Sequence, residues 1–285
     1  MRSPRVLSVG HTPDMDDAFM FYAIAEGKVA AEGWSIQHVI EDIQSLNQRA
    51  LHAELDVTAV SAAGYPTISK DYWILSIGSS VGRGYGPIVV ATKDYSPQEL
   101  SGRHVAVPGL HTTAYLALRL AIPEIKPIEM PFEQIPDAVL SGRVDAGLLI
   151  HERQLTYRDQ GLLQILDLGT WWQTQTKLPL PLGLNVVKQS LGKELAVQFA
   201  QLLRDSIVYA MTHQDEAMSW SLRYGRGIDP VRARQFVSMY VNEDTLTFSP
   251  ACQQGLHLLY ERAQTSGFIA SVPPLIFIEP AKIQA

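Results

Sequence analysis

Cysteine is almost absent from the chain. Cys252 stands alone among 285 residues, which excludes an internal disulfide and a thiolate metal cluster and fits a reducing compartment. No apolar run approaches the roughly 18 residues needed to span a bilayer. The opening residues, Met1-Arg2-Ser3-Pro4-Arg5, lead directly into a short strand pattern without the apolar stretch of a signal peptide. These absences lead us to expect a cytoplasmic protein with no membrane association. Charge is sparse too: fewer than a fifth of the residues are Asp, Glu, Lys or Arg, and the formal net charge is -6. That balance argues against a broad polyanion-binding face and against nucleic acid as a partner, while leaving room for one small anion site. Repeats, low-complexity segments and long charge runs are lacking as well.

What the chain does have is apolar patterning. Nearly half of it is hydrophobic, enough for two lobes of ordinary domain size. Short apolar runs at residues 6–9, 34–40, 56–60, 73–77, 88–91, 104–107, 127–131, 144–150, 162–168 and 184–187 read as strands, and helical periodicity fills most of the gaps. From Gly192 onward the pattern is mostly helical. This predicts an α/β protein of two units: residues 1–88 with 184–285, including the helical tail, and residues 89–183. Crossovers fall near Pro87 and Pro181, where a hinge is expected, and prolines at alternate positions in Leu178-Pro179-Leu180-Pro181-Leu182-Gly183 stiffen the second.

Polar residues cluster where strands give out. In Val144-Asp145-Ala146-Gly147-Leu148-Leu149-Ile150-His151-Glu152 a buried-strand pattern ends on a histidine. Ligands of open α/β sheets bind at the carboxyl ends of strands, so His151 is a candidate reacting group, against the plainer reading of a histidine bonded to backbone. If the strand persists, Glu152 points the other way. Ser61 lies where a strand yields to a helix, and Thr112 and Thr113 lie at the first turn of the next one, where hydroxyls and unpaired N–H groups suit a carboxylate or phosphate. Ser61 and Thr112 also read as N-caps. Arg83, in the glycine-rich segment 78–87, is a candidate carboxylate clamp or an exposed loop arginine. That segment is no phosphate loop, because no Lys-Ser/Thr follows its glycines. Asp14, Asp16 and Asp17 open a helix and read as caps more readily than as a metal site. Tyr240 and Asn242 break two helices and either face the ligand or end a helix.

The stretches His11-Thr12-Pro13-Asp14, Asp17-Ala18-Phe19-Met20-Phe21-Tyr22, Pro108-Gly109-Leu110-His111-Thr112-Thr113-Ala114-Tyr115, Gly147-Leu148-Leu149-Ile150-His151-Glu152 and Leu178–Gly183, in that order, closely resemble the 1,4-dihydroxy-6-naphthoate synthases of the futalosine route to menaquinone. The resemblance spans nearly the whole chain. It implies a two-lobed, periplasmic-binding-protein-like fold with a ligand cleft between the lobes. The activity it implies is a carbon–carbon lyase acting on cyclic dehypoxanthine futalosine, a small anionic aromatic substrate, with neither metal nor organic cofactor. It places the family's proposed base on His151, with Leu149 where the family motif has Ile, and its substrate-contacting hydroxyls on Ser61, Thr112 and Thr113. An imidazole with its ordinary pKa of about 6.5 suits removal of a proton next to a carbonyl at cellular pH. Two alternatives remain at this stage, the related chorismate dehydratases and a non-catalytic carboxylate-binding protein. Oligomeric state is not legible.

Overall fold

Strands covered on both faces are predominantly apolar, and Val57–Ser61, Ile88–Ala91 and Ala146–Leu149 are buried along their whole length. The computed structural model describes residues 5–31 and 33–281; residues 1–4, read above for a leader, lie outside that range. The chain forms two units. The first takes the residues up to Ser80, Gly183–Ser249 and those from Pro273 on; the second takes Val81–Leu182 and Pro250–Val272.

In the first unit six strands lie in the order Phe277–Ile278, Tyr72–Leu75, Leu180–Lys188, Val57–Ser61, Arg5–His11, Trp34–Ile40. Leu180–Lys188 is antiparallel to both neighbours and the other pairs are parallel. The helix Met15–Ala25 packs on Lys193–Thr212 and Gln214–Ser221, and the Ser206 hydroxyl donates to the Met20 carbonyl at 2.6 Å. In the second unit the order is Leu163–Asp167, Ile88–Ala91, Ala146–Leu149, His104–Val107, Lys126–Glu129. Here Ile88–Ala91 is the strand antiparallel to its neighbours. The strand patterns at residues 34–40, 88–91 and 104–107 match what the sequence predicts.

The units divide at Ser80/Val81 and Leu182/Gly183, and the chain passes between them four times, not twice. The predicted bounds fall at 88/89 and 183/184, and the helix Pro250–Thr265, predicted with the first unit, groups with the second. Gly255 lies against the Pro179 carbonyl, where a Cβ would come within 2.5 Å of the oxygen. The Arg262 guanidinium sits 5.1 Å over the Trp172 ring, and Phe268 meets Tyr115 edge-on at 6.0 Å. Helical periodicity gave that segment an apolar face but not the sheet it would cover. Residues 168–176, between the predicted strand at 162–168 and the crossover near Pro181, are a helix capped by Asp167, and its buried Trp172 donates Nε1–H to the Pro179 carbonyl at 3.0 Å. No helix among the described residues is long and apolar enough to cross a membrane.

Candidate active site

In each sheet the parallel strands end on one edge, and the polar residues singled out above gather at those edges. In the first unit the Arg5–His11 and Val57–Ser61 strands are parallel, with Gly10 opposite Thr58, so His11 and Ser61 share an edge. Ser61 does not cap the turn that follows it. The Asn47 amide holds it instead: Asn47 Nδ2 donates to the Ser61 hydroxyl at 3.1 Å and Ser61 N–H donates to Asn47 Oδ1 at 2.8 Å.

The acidic start of the Met15–Ala25 helix is also used differently from the cap that the sequence predicts. Asp14 stands at the N-cap position without a side-chain cap bond; its carboxylate meets Arg226 at 3.0 Å. Arg226 also donates to the Pro13 carbonyl at 3.2 Å. Asp17 accepts the Thr12 N–H at 2.6 Å and the Thr12 hydroxyl at 2.8 Å. Asp16 lies between them, and burial, then the charges of Asp17 and Asp14, hold its carboxyl well above the usual carboxylate range. His11 stacks on Phe21 at 4.5 Å and 13°. Its Nε2 lies 3.0 Å from His38 Nδ1 and its Nδ1 lies 3.4 Å from the Thr12 carbonyl. Burial, reinforced by His38, brings the His11 imidazole down to about 4, although the Thr12 carbonyl opposes the shift.

Tyr240 is buried at the end of the helix Pro230–Tyr240. Asn242 is a helix cap: its side chain accepts the Asp244 N–H at 3.0 Å and donates to the Met239 carbonyl at 2.8 Å. Both lie just ahead of the short helix Glu243–Leu246, whose Thr245 carbonyl accepts the Gly78 N–H at 2.7 Å three residues beyond the Tyr72–Leu75 strand.

In the second unit His104–Val107 and Ala146–Leu149 are parallel, so the Thr112-Thr113 turn and His151 lie at one edge. Arg83 joins them there by chain direction, since it precedes the antiparallel strand Ile88–Ala91. It is exposed, on a loop that Thr170 pins by donating its hydroxyl to the Gly84 carbonyl at 2.9 Å. Thr112 is the N-cap of the helix Thr113–Ala121: its hydroxyl accepts the Tyr115 N–H at 3.2 Å and donates to the Gly109 carbonyl at 2.8 Å. The Thr113 hydroxyl donates to the Leu182 carbonyl at 2.7 Å.

The strand before His151 stops at Leu149, one residue earlier than its apolar run suggests. His151 itself is in the left-handed region, at φ 56°, a conformation that costs an L-residue roughly 1–2 kcal/mol and is tolerated by His better than by most. Its carbonyl accepts the Gln154 N–H at 3.2 Å, starting the next helical turn. Glu152 is therefore not the next strand residue pointing to the opposite face; it is buried at the N-cap of the helix Arg153–Thr156. The half-buried His151 ring meets Phe132 edge-on, centroids 4.8 Å apart at 67°. Sequence reasoning overlooked Phe132, Asn47, Arg226 and the His11–His38 pair, since each acts across a distance in the chain that no local period reports.

A model of a family described as menaquinone biosynthesis matches residues 7–265. The chain belongs to the menaquinone biosynthesis family. A relative from Thermus thermophilus named 1,4-dihydroxy-6-naphthoate synthase is 36% identical over 272 residues, which is 95% of this chain and 99% of that protein. The crystal structure of a protein from Archaeoglobus fulgidus shares 49% identity at a TM-score of 0.90, covering 94% of this chain and 100% of that one. A Candida albicans protein described as having the generic periplasmic binding protein fold matches at a TM-score of 0.69, over 93% of this chain and 91% of that one. At 15% identity the last likeness speaks for fold alone, and it agrees with the two α/β units of this menaquinone biosynthesis family member.

Proposed function

We propose that the chain is a cytoplasmic, cofactor-independent carbon–carbon lyase that converts cyclic dehypoxanthine futalosine to 1,4-dihydroxy-6-naphthoate, with His151 as the general base. The observation that carries the role of His151 is its placement. It follows a parallel strand at the sheet's ligand-binding edge, in a left-handed turn, with its ring half-buried against Phe132. The 36% identical relative of the same name supports the reaction.

In this reading the neutral imidazole takes the proton next to a carbonyl, and the C–H electron pair moves into the carbonyl system as an enolate. Cleavage of the carbon–carbon bond then releases the sugar-derived portion and leaves the aromatic dihydroxynaphthoate ring. A positioned base supplies about 10²–10⁴-fold; oriented donors to the enolate oxygen supply more. In the second unit both the Thr112 hydroxyl and the Thr112 N–H donate to the Gly109 carbonyl, so the donors to the enolate oxygen are assigned to the first-turn N–H groups of the helix Thr113–Ala121. Arg83, which chain direction places at the same edge of the second unit, meets the substrate carboxylate. Asn242, with both ends of its amide engaged in a helix cap, and the buried Tyr240 are given structural roles.

The test is incubation of the purified protein with cyclic dehypoxanthine futalosine, without added metal or cofactor, following 1,4-dihydroxy-6-naphthoate by chromatography and mass. Product formation is expected. Absence of product, with dehydration of chorismate instead, would assign the chain to the other reaction; inertness toward both would favour a binding protein.

A further inference from the structure

Phe132 stands at the start of the helical segment that follows the strand Lys126–Glu129, nineteen positions before His151 in sequence and beside it in space. What brings the two together is a glycine. A Cβ on Gly147 would lie 2.5 Å from Ile135 Cγ2 and 2.8 Å from Val139 Cγ2, so only glycine lets the helix Ile135–Leu140 sit this close to the strand Ala146–Leu149. That helix runs back from the strand-end edge, and the 3-10 turn Phe132–Gln134 that leads into it therefore delivers the buried Phe132 ring to the point where the strand gives way to His151. The left-handed backbone at His151 sets the direction in which the imidazole leaves the chain, and the edge-on Phe132 ring closes off one side of its rotation.

We propose that Phe132, held in place by the close approach at Gly147, is a positioning residue that fixes the orientation of the His151 imidazole. This rests on the reading of His151 as the base. A ring that turns away from the reacting proton loses rate steeply, since a misplacement of about 1 Å costs on the order of 10²-fold. Phe132 therefore acts through His151 and leaves substrate affinity to other groups.

The experiment compares the native chain with Phe132→Leu, Phe132→Tyr and Gly147→Ala, using His151→Asn to assign the His151 ring-proton signals in the NMR spectrum. In the native chain those signals carry a ring-current displacement from Phe132. The displacement should collapse in Phe132→Leu, persist in Phe132→Tyr, and shrink in Gly147→Ala, where the helix must shift. Turnover should fall about tenfold or more in Phe132→Leu with KM within about twofold, and recover in Phe132→Tyr. Unchanged His151 signals in Phe132→Leu would overturn the proposal, as would changed signals with native turnover while His151→Asn is inactive. Full turnover in His151→Asn would remove the base reading alone, and whether the His151 side chain keeps its rotamer in Phe132→Leu, read from NOEs between its ring and backbone protons, would still decide whether Phe132 orients the imidazole. Circular dichroism of each variant separates a folding defect from a local one, and Phe132→Tyr keeps the test open should Phe132→Leu fail to fold.

Discussion

His11 and His151 both stand where a parallel strand ends, one in each unit, and they are held in opposite ways. His11 is 5% exposed, stacked flat on Phe21, with Nδ1 facing the Thr12 carbonyl and Nε2 facing His38. Both ring nitrogens are committed inside the unit, and burial keeps the ring neutral down to about pH 4. His151 lies two residues past its strand, in a left-handed turn, half-buried, with Phe132 against its edge. A strand-end position alone therefore does not make a histidine a reagent. The first fastens a turn whose Thr12, Asp14 and Asp17 are also held by neighbours, while the second carries backbone strain of the sort that persists at functional sites.

Four substitutions probe that contrast. The largest effect is expected at His151→Asn, where turnover should fall by about 10²–10⁴-fold while the melting temperature holds, because Asn tolerates the left-handed region as well as His does. A matching loss of stability would show that this histidine, too, is structural. Next comes the pH dependence of stability. His11 has a folded-state pKa below its unfolded value, so its contribution is fully present above about pH 6.5 and is lost as pH falls toward 4. By pH 4 the loss should amount to about 3 kcal/mol. His11→Phe should remove that loss, as denaturant unfolding at pH 7 and pH 4 would register; an identical acid profile would show that the buried His11 does not carry the acid sensitivity. Gly147→Ala, which forces a Cβ against Ile135 and Val139, should cost about 1–3 kcal/mol by overpacking, also measurable by denaturant unfolding. The smallest change is expected at Asn242→Ala, about 1 kcal/mol for the lost cap; a neutral result would show that the cap is energetically idle.

Much of this was legible in the sequence, and the boundary follows physical lines. Period-two and continuous apolar runs gave the strands, and the direction of α/β chains put Ser61, Thr112 and His151 at strand ends, since both signals are local. The cap at Thr112 was readable for the same reason. The partners were not. Asn47 reaches Ser61 from the preceding helix, and Arg226 reaches Asp14 from the far end of the chain. Trp172 finds Pro179 from a helix that ends just ahead of the proline segment and that the local pattern did not mark. The helix Pro250–Thr265 advertised an apolar face without naming the sheet it covers. The turn at His151 was hidden because Ile150 extends the apolar run by one residue beyond the strand, so the left-handed φ and the burial of Glu152 had no sequence signal.

The most direct test of His151 as the reacting histidine is the pH profile of kcat for the native chain, His11→Phe and His151→Asn with cyclic dehypoxanthine futalosine as substrate. If His151 is the base, kcat falls on the acid side in the native chain and in His11→Phe alike, and the residual rate of His151→Asn lacks that limb. An acid limb that survives in His151→Asn, or that disappears in His11→Phe, would contradict the account.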